Sequence, residues 1–176
     1  MRVVGFDPGL RRTGWGIIVI DGARLQHIAN GVVESDERLD VARRLVQLHE
    51  GIAAVIRDYG PEEAAVEATL ANKNASSTLK LGLARGVALM TPAAMDLPVA
   101  EYLPNIVKKA VVGTGHATKD QVGTMVRHLL PACPIDSADA ADALAVAICH
   151  SHHRATNRVW SGGSEDPLRV ASGRRS

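Results

Sequence analysis

Apolar runs and turn signals alternate along the N-terminal part of the chain. Val3–Phe6 gives way to Pro8-Gly9, Thr13–Ile20 to Asp21-Gly22, and Leu25–Val33 follows. Asp-Gly between two apolar runs marks a tight hairpin, because its turn needs positive φ at its centre. Three antiparallel strands are expected. From Asp36 to Tyr59 the period changes: Leu39, Ala42, Leu45, Val46, Ile52, Val55 and Ile56 recur at helical spacing, with Ser35 as an N-cap and Gly60-Pro61 as the stop. Ala64–Val66, ending at Glu67, and Val99–Leu103, ending at Pro104, are short apolar runs of the kind found in buried strands. Between them, Ser76–Met90 is rich in Leu and Ala and carries Gly82 and Gly86 one helical turn apart. Helices are expected there and again over Asn105–Val112, Thr118–Leu130 and Ser137–His152. Strands followed by alternating helices and strands imply an α/β domain with a mixed sheet, antiparallel at one edge.

Periodicity stops after Arg154, where Gly, Ser and Arg take over, so a domain over residues 1–155 and a disordered tail over 156–176 are expected. A length of 176 residues suits one such domain. Aromatic residues are only 3% of the chain, so Ala, Val, Leu and Ile must fill the core, and a surface that reads single strands by stacking is disfavoured. No apolar run approaches the roughly 18 residues of a membrane span, and the opening MRVVGFD lacks a signal-peptide core. A cytoplasmic protein is expected. Cys133 and Cys149 are too few for a disulfide framework.

The net charge of +1 hides an uneven distribution. Residues 1–70 hold 8 Lys/Arg against 11 Asp/Glu, residues 71–135 hold 7 against 3, and the rest hold 5 of each. A basic middle beside acidic flanks suits a site that gathers cations with carboxylates and phosphates with Lys and Arg.

The carboxylates sharpen this picture. Asp7 closes the first apolar run and Glu67 closes Ala64–Val66, so each ends a hydrophobic strand, where desolvation is costly without a cation. Asp139 and Asp142 are three apart on one helical face, close to a helix N-terminus. Capping and dipole complementation would explain a single Asp there. If the two strands are neighbours and the helix lies over them, four carboxylates meet in one cleft and repel. All-oxygen donors favour Mg²⁺ or Mn²⁺ over zinc. Two such ions roughly 4 Å apart support in-line hydrolysis of a phosphodiester. A metal site at Cys149, His150, His152 and His153 is disfavoured, since His at a helix C-terminus also suits the dipole.

The segments GFDPGLRRTGWGII, AVEATLANKNASSTLKLGLARGVAL, VKKAVVGTGHATKDQV and DAADALAVAICHSHH, in this order and spacing, closely resemble the RuvC family of Holliday-junction resolvases. The likeness covers residues 1 to about 153. It implies an RNase H-like fold with a mixed five-stranded sheet, three strands antiparallel and then two parallel. It also implies a homodimer, Mg²⁺-dependent paired nicking of four-way junction DNA, and partnership with a branch-migration motor of the RuvA–RuvB type. The family's catalytic acids fall on Asp7, Glu67, Asp139 and Asp142, the same four that the chemistry selects. Lys108 and Lys119 match family lysines near the catalytic centre, with Lys109 beside them. Lys73, Asn74, Lys80 and Arg85 match a loop and helix that could follow a DNA arm, and Arg11 and Arg12 are further backbone candidates. Where many members carry an aromatic wedge, this chain has Leu70, which could serve only as an apolar wedge. Competing readings are a junction-binding protein without catalysis and an actin-like or sugar-kinase-like ATPase domain, for which the chain lacks a second half.

Overall fold

The computed structural model describes residues 1–68, 75–131, 133–135 and 137–160. Strands β1 (Arg2–Asp7), β2 (Arg12–Asp21) and β3 (Arg24–Glu34) form the expected antiparallel meander. Gly22 takes a φ of 57° at the hairpin tip, in the left-handed region that glycine enters at little cost. Strand β4 (Glu63–Glu67) then pairs parallel with β1, and β5 (Val99–Tyr102) parallel with β4. The sheet order is β3-β2-β1-β4-β5. Parallel neighbours require long crossovers, supplied here by α1 (Val41–Tyr59) and α2 (Ala75–Ala94).

Alternation along the strands sorts side chains between two layers. Val4, Phe6, Ala64 and Val66 face one side, where they pack with Ile52, Val55 and Ile56 of α1 and Ala88 of α2. Val3 and Ala65 face the other, against α3 (Pro104–Val112), α4 (Lys119–Leu129) and α5 (Ala138–Trp160). Asp7 and Glu67 have the parity of Val3 and Ala65, so both carboxylates belong to the α5 side.

Helix α5 lies directly on the sheet because the surfaces in contact are small. A Cβ on Gly14 would overlap the Asp139 carbonyl, and one on Gly5 would overlap that of Ala143 and stand 2.7 Å from the Ala147 nitrogen. Ala140, Ala143 and Ala147 are buried in this layer. The scarcity of aromatics thus reflects close backbone packing, with Phe6 the one Phe in the core.

Helix α2 runs on to Ala94, past the expected Met90, and two other helix limits also differ from expectation. Helix α1 begins at Val41, and its N-cap is Asp40, whose carboxylate accepts from the Arg43 N–H. Ser35 is buried instead, its Oγ donating to the Leu10 carbonyl and accepting from Arg44 Nε. Asp36 caps a separate turn by accepting from the Arg38 N–H. Helix α5 continues to Trp160, past the expected His152. Among the described residues, no helix is long and apolar enough to cross a membrane.

Candidate active site

Strands β1 and β4 are in parallel register through Phe6 and Val66, which sets the next residues, Asp7 and Glu67, side by side. With Asp142 from α5, Lys108 from α3 and Lys119 from α4, they line one cleft of about 200 Å³. Its remaining walls include Pro104, Val107, Val122 and Ala145, so the carboxylates stand on an apolar floor.

The electrostatics follow from this crowding. Burial, then the charges of Glu67 and Asp142, push the Asp7 carboxyl up to about 8; Lys119 opposes the rise and Asp139 adds slightly to it. Burial and Asp142 also raise Glu67, while a hydrogen bond from Asp7 and the charges of Lys119 and Lys108 hold it down. Without a cation, burial and repulsion thus favour a proton on Asp7, which donates it toward Glu67. Lys119 donates to Asp142 at 2.9 Å, and this bond raises the lysine further above its ordinary range.

Asp139, the fourth expected carboxylate, does not line this cleft, although its charge still acts on Asp7. Its carboxylate meets Arg12 Nε at 3.1 Å, and the same guanidinium is 3.5 Å from Glu34. Arg11 pairs with Glu37, and Arg85 forms a two-pronged bond to Glu101 at 2.6 and 2.8 Å. Each of these three arginines thus has an acidic partner within the fold, and the side chains of Arg11 and Arg12 remain exposed. Lys80 and Lys109 are exposed. Leu70, Lys73 and Asn74 lie outside the described residues.

Whether a divalent cation fits can be judged from the donors. Among the described residues, no three His, Cys, Asp or Glu side chains stand close enough to form a ready-made cage. The donor chemistry nevertheless suits a hard cation: three carboxylates face one cleft, and two of them are held above their ordinary range by burial and mutual repulsion. Lys119 provides only part of the missing positive charge.

A polar network remote from this cleft was not apparent in the sequence. Glu63, four residues before Glu67 on β4, accepts from Arg154 and is bonded to the buried His150, which also bonds the Tyr102 hydroxyl. It fastens the C-terminal half of α5 to β4 and β5. His150 is therefore an interior hydrogen-bonding residue, and no metal cluster forms around it among the described residues.

This sheet order, with helices on both faces, is that of the RNase H-like class, and solved structures share it. The yeast mitochondrial Holliday junction resolvase Ydc2 aligns with a TM-score of 0.66 at 10% identity, over 91% of this chain and 83% of that one. The Thermus thermophilus RuvC structure in complex with a Holliday junction substrate aligns with a TM-score of 0.83 at 31% identity, over 89% and 96%. The family model described as crossover junction endodeoxyribonuclease RuvC matches residues 3–150. The chain belongs to the RuvC family. Relatives bearing that description include those of Rhodospirillum rubrum, 62% identical over 88% of this chain and 92% of the relative, and Paramagnetospirillum magneticum, 61% identical over 90% and 95%.

Proposed function

We propose that this chain is the endonuclease that resolves Holliday junctions by paired phosphodiester hydrolysis in recombination and repair. The observation that carries the reading is the cleft itself: Asp7, Glu67 and Asp142 face one space with Lys108 and Lys119 on its walls. Asp7, Glu67 and Asp142 would hold Mg²⁺, with Mn²⁺ as a substitute and Asp139 joining when Arg12 releases it, two ions to each subunit. The metal supplies Lewis-acid activation of water and neutralisation of the leaving oxygen.

The chain's own groups perform the rest. Lys119, already bonded to Asp142, sits where an incoming phosphate would exchange one carboxylate partner for a phosphate oxygen. Lys108 adds a second positive charge where the phosphorane would concentrate its negative charge. The apolar floor limits solvent around the acids, which strengthens these interactions. The proton on Asp7 must leave when a cation binds, so loading is favoured as pH rises toward 8.

A four-way junction presents two equivalent strands, and one cleft makes one cut; a homodimer supplies the second. The exposed face of α2 supports this. Leu79 and Met90 are 68% and 53% exposed, Leu83 adjoins them, and Gly82 and Gly86 open onto empty space. Contact with a branch-migration motor would place the dimer at the crossover.

The test is nicking of four-way, Y-shaped and linear duplex DNA in Mg²⁺ and in EDTA. Paired cuts confined to the four-way substrate and to Mg²⁺ are expected. Glu67→Gln and Asp142→Asn should abolish cutting while junction binding survives. Equal cutting of all three substrates, or cutting in EDTA, would overturn the proposal.

A further inference from the structure

A second groove adjoins the catalytic cleft and shares two residues with it. It measures about 360 Å³ and runs between α4 and the start of α5, lined by Lys119, Asp120, Gly123, Thr124 and Arg127 on one side and by Ser137, Ala138, Ala141 and Asp142 on the other. Lys119 and Asp142 belong to both spaces.

Lys119, Gly123 and Arg127 are four apart and therefore share one face of α4. The Arg127 side chain folds back over Gly123, its Nη1 lying 3.6 Å from where a Cβ would be. Among the described residues Arg127 has no carboxylate within ion-pair distance, unlike Arg12, Arg85 and Arg154, each of which is held by an acid. Asp120 lines the same groove but does not pair with it. Among the described residues Arg127 is thus an exposed guanidinium with no acidic partner, in a groove that Asp142 also lines.

Gly123 is the second observation. A glycine inside a helix costs about 1 kcal/mol relative to alanine, and here no structural requirement explains it. Its φ is not positive, and a Cβ would make only ordinary contact with Arg127. What the missing side chain does is leave room for the Arg127 side chain to lie low over the helix, so that its guanidinium forms part of the groove floor.

We propose that this groove is a phosphate subsite for the cleaved strand, in which Arg127 holds a backbone phosphate one or two nucleotides from the scissile one and Gly123 provides the clearance. The inference rests on the nuclease reading above. The spacing fits: although Arg127 is eight residues from Lys119, its guanidinium folds back to the level of Gly123, roughly 6 Å from Lys119 at about 1.5 Å per residue, and a strand rises about 3.4 Å per nucleotide. A guanidinium suits the task because its planar fork grips a phosphate with two bonds. Holding the strand at a second point beyond Lys119 would fix the scissile phosphate against the acids, so Arg127 is a positioning residue.

The experiment uses the full chain with four-way junctions in which single phosphates near the cut are replaced by neutral methylphosphonates. In EDTA, Arg127→Ala should bind the unmodified junction about 5- to 10-fold more weakly, with the slope of log affinity against log salt reduced by about one. Arg127→Lys should recover the slope but only part of the affinity. One methylphosphonate within two nucleotides of the cut should weaken the wild type by a similar factor and leave Arg127→Ala unaffected, the mark of a direct partnership. Gly123→Ala should melt no lower than the wild type yet bind the junction more weakly. An unchanged salt slope for Arg127→Ala, or additive losses at every phosphate within two nucleotides, would overturn the subsite. Gly123→Ala binding at wild-type strength would overturn the clearance role. A wild type that neither prefers four-way junctions nor cuts them in Mg²⁺ would fail the nuclease reading instead, and the two failures are distinguishable.

Discussion

Replacing Asp7 by Asn should stabilise the metal-free protein while removing its activity. The Asp7 carboxyl moves from 3.8 to about 8 on folding, chiefly through burial and then through Glu67 and Asp142. The sign follows directly: between about pH 4 and 8 the unfolded chain has lost this proton and the folded chain has kept it, so stability falls as pH rises through that window. At about 1.4 kcal/mol per unit, the ceiling is about 6 kcal/mol above pH 8. Solvent at the mouth of the cleft reduces it, and about 3 kcal/mol is expected. Asn carries no charge, fills nearly the same volume, and its amide can donate to Glu67 as the protonated carboxyl does. In EDTA at pH 8, Asp7→Asn should therefore melt about 6–12 °C above the wild type, since 1 kcal/mol is worth about 2–4 °C in a domain of this size. At pH 4 the two should melt within about 2 °C of each other. Millimolar Mg²⁺ should raise the wild type and leave the variant nearly unmoved. Calorimetric or circular-dichroism melts at both pH values decide the matter. Equal melting at pH 8, or a gain as large at pH 4, would show that the acids do not strain the fold as described.

Lys108→Ala and Lys119→Ala should each slow single-turnover cleavage by about 10²-fold at saturating protein while changing junction affinity less than threefold, and Lys80→Ala should do the reverse; wild-type rates in the first two would reduce those lysines to backbone contacts. Leu79→Asp, at the N-terminal end of the exposed α2 face and its most exposed apolar residue, should shift the protein to monomer by analytical ultracentrifugation and uncouple the paired cuts, leaving single nicks; a persistent dimer would place the interface elsewhere. Gly14→Ala puts a methyl group into the Asp139 carbonyl and should cost about 1–3 kcal/mol, read as a lower urea midpoint; wild-type stability would mean that α5 can lift without penalty.

The strands were legible because each apolar run is bracketed by turn residues, and Asp21-Gly22 leaves few alternatives to a hairpin. The start of α1 was not. Leu39 is in phase with the helix, yet it is 40% exposed and precedes the cap, because Asp36 closes a turn of its own that uses the same polar residues a capping motif would. Asp7, Glu67 and Asp142 could be selected as ends of apolar runs and as a helical pair, since strand parity and helix period fix which way such residues face. The partners that divide them could not. Arg12 reaches Asp139, and His150 reaches Glu63 across 87 residues, only because α5 folds back over β1, β2 and β4. Gly5 and Gly14 likewise look like ordinary strand glycines until a helix is laid on them.

The contact of α5 with those glycines has a consequence for how this centre can be altered. Most enzyme pockets are cushioned by side chains that can shrink, grow or rotate, so the distance between reacting groups can drift by small steps under selection or in the laboratory. Here the backbone of the helix that bears Asp139 and Asp142 rests on the backbone of the strand that ends in Asp7, with no compressible layer between them. The gap across the acids behaves like a mechanical stop, and a single added methyl group would open it abruptly. Retuning of substrate choice must then come from surfaces that can still be adjusted, such as the exposed faces of α3 and α4, while the spacing of the carboxylates stays at a fixed gauge.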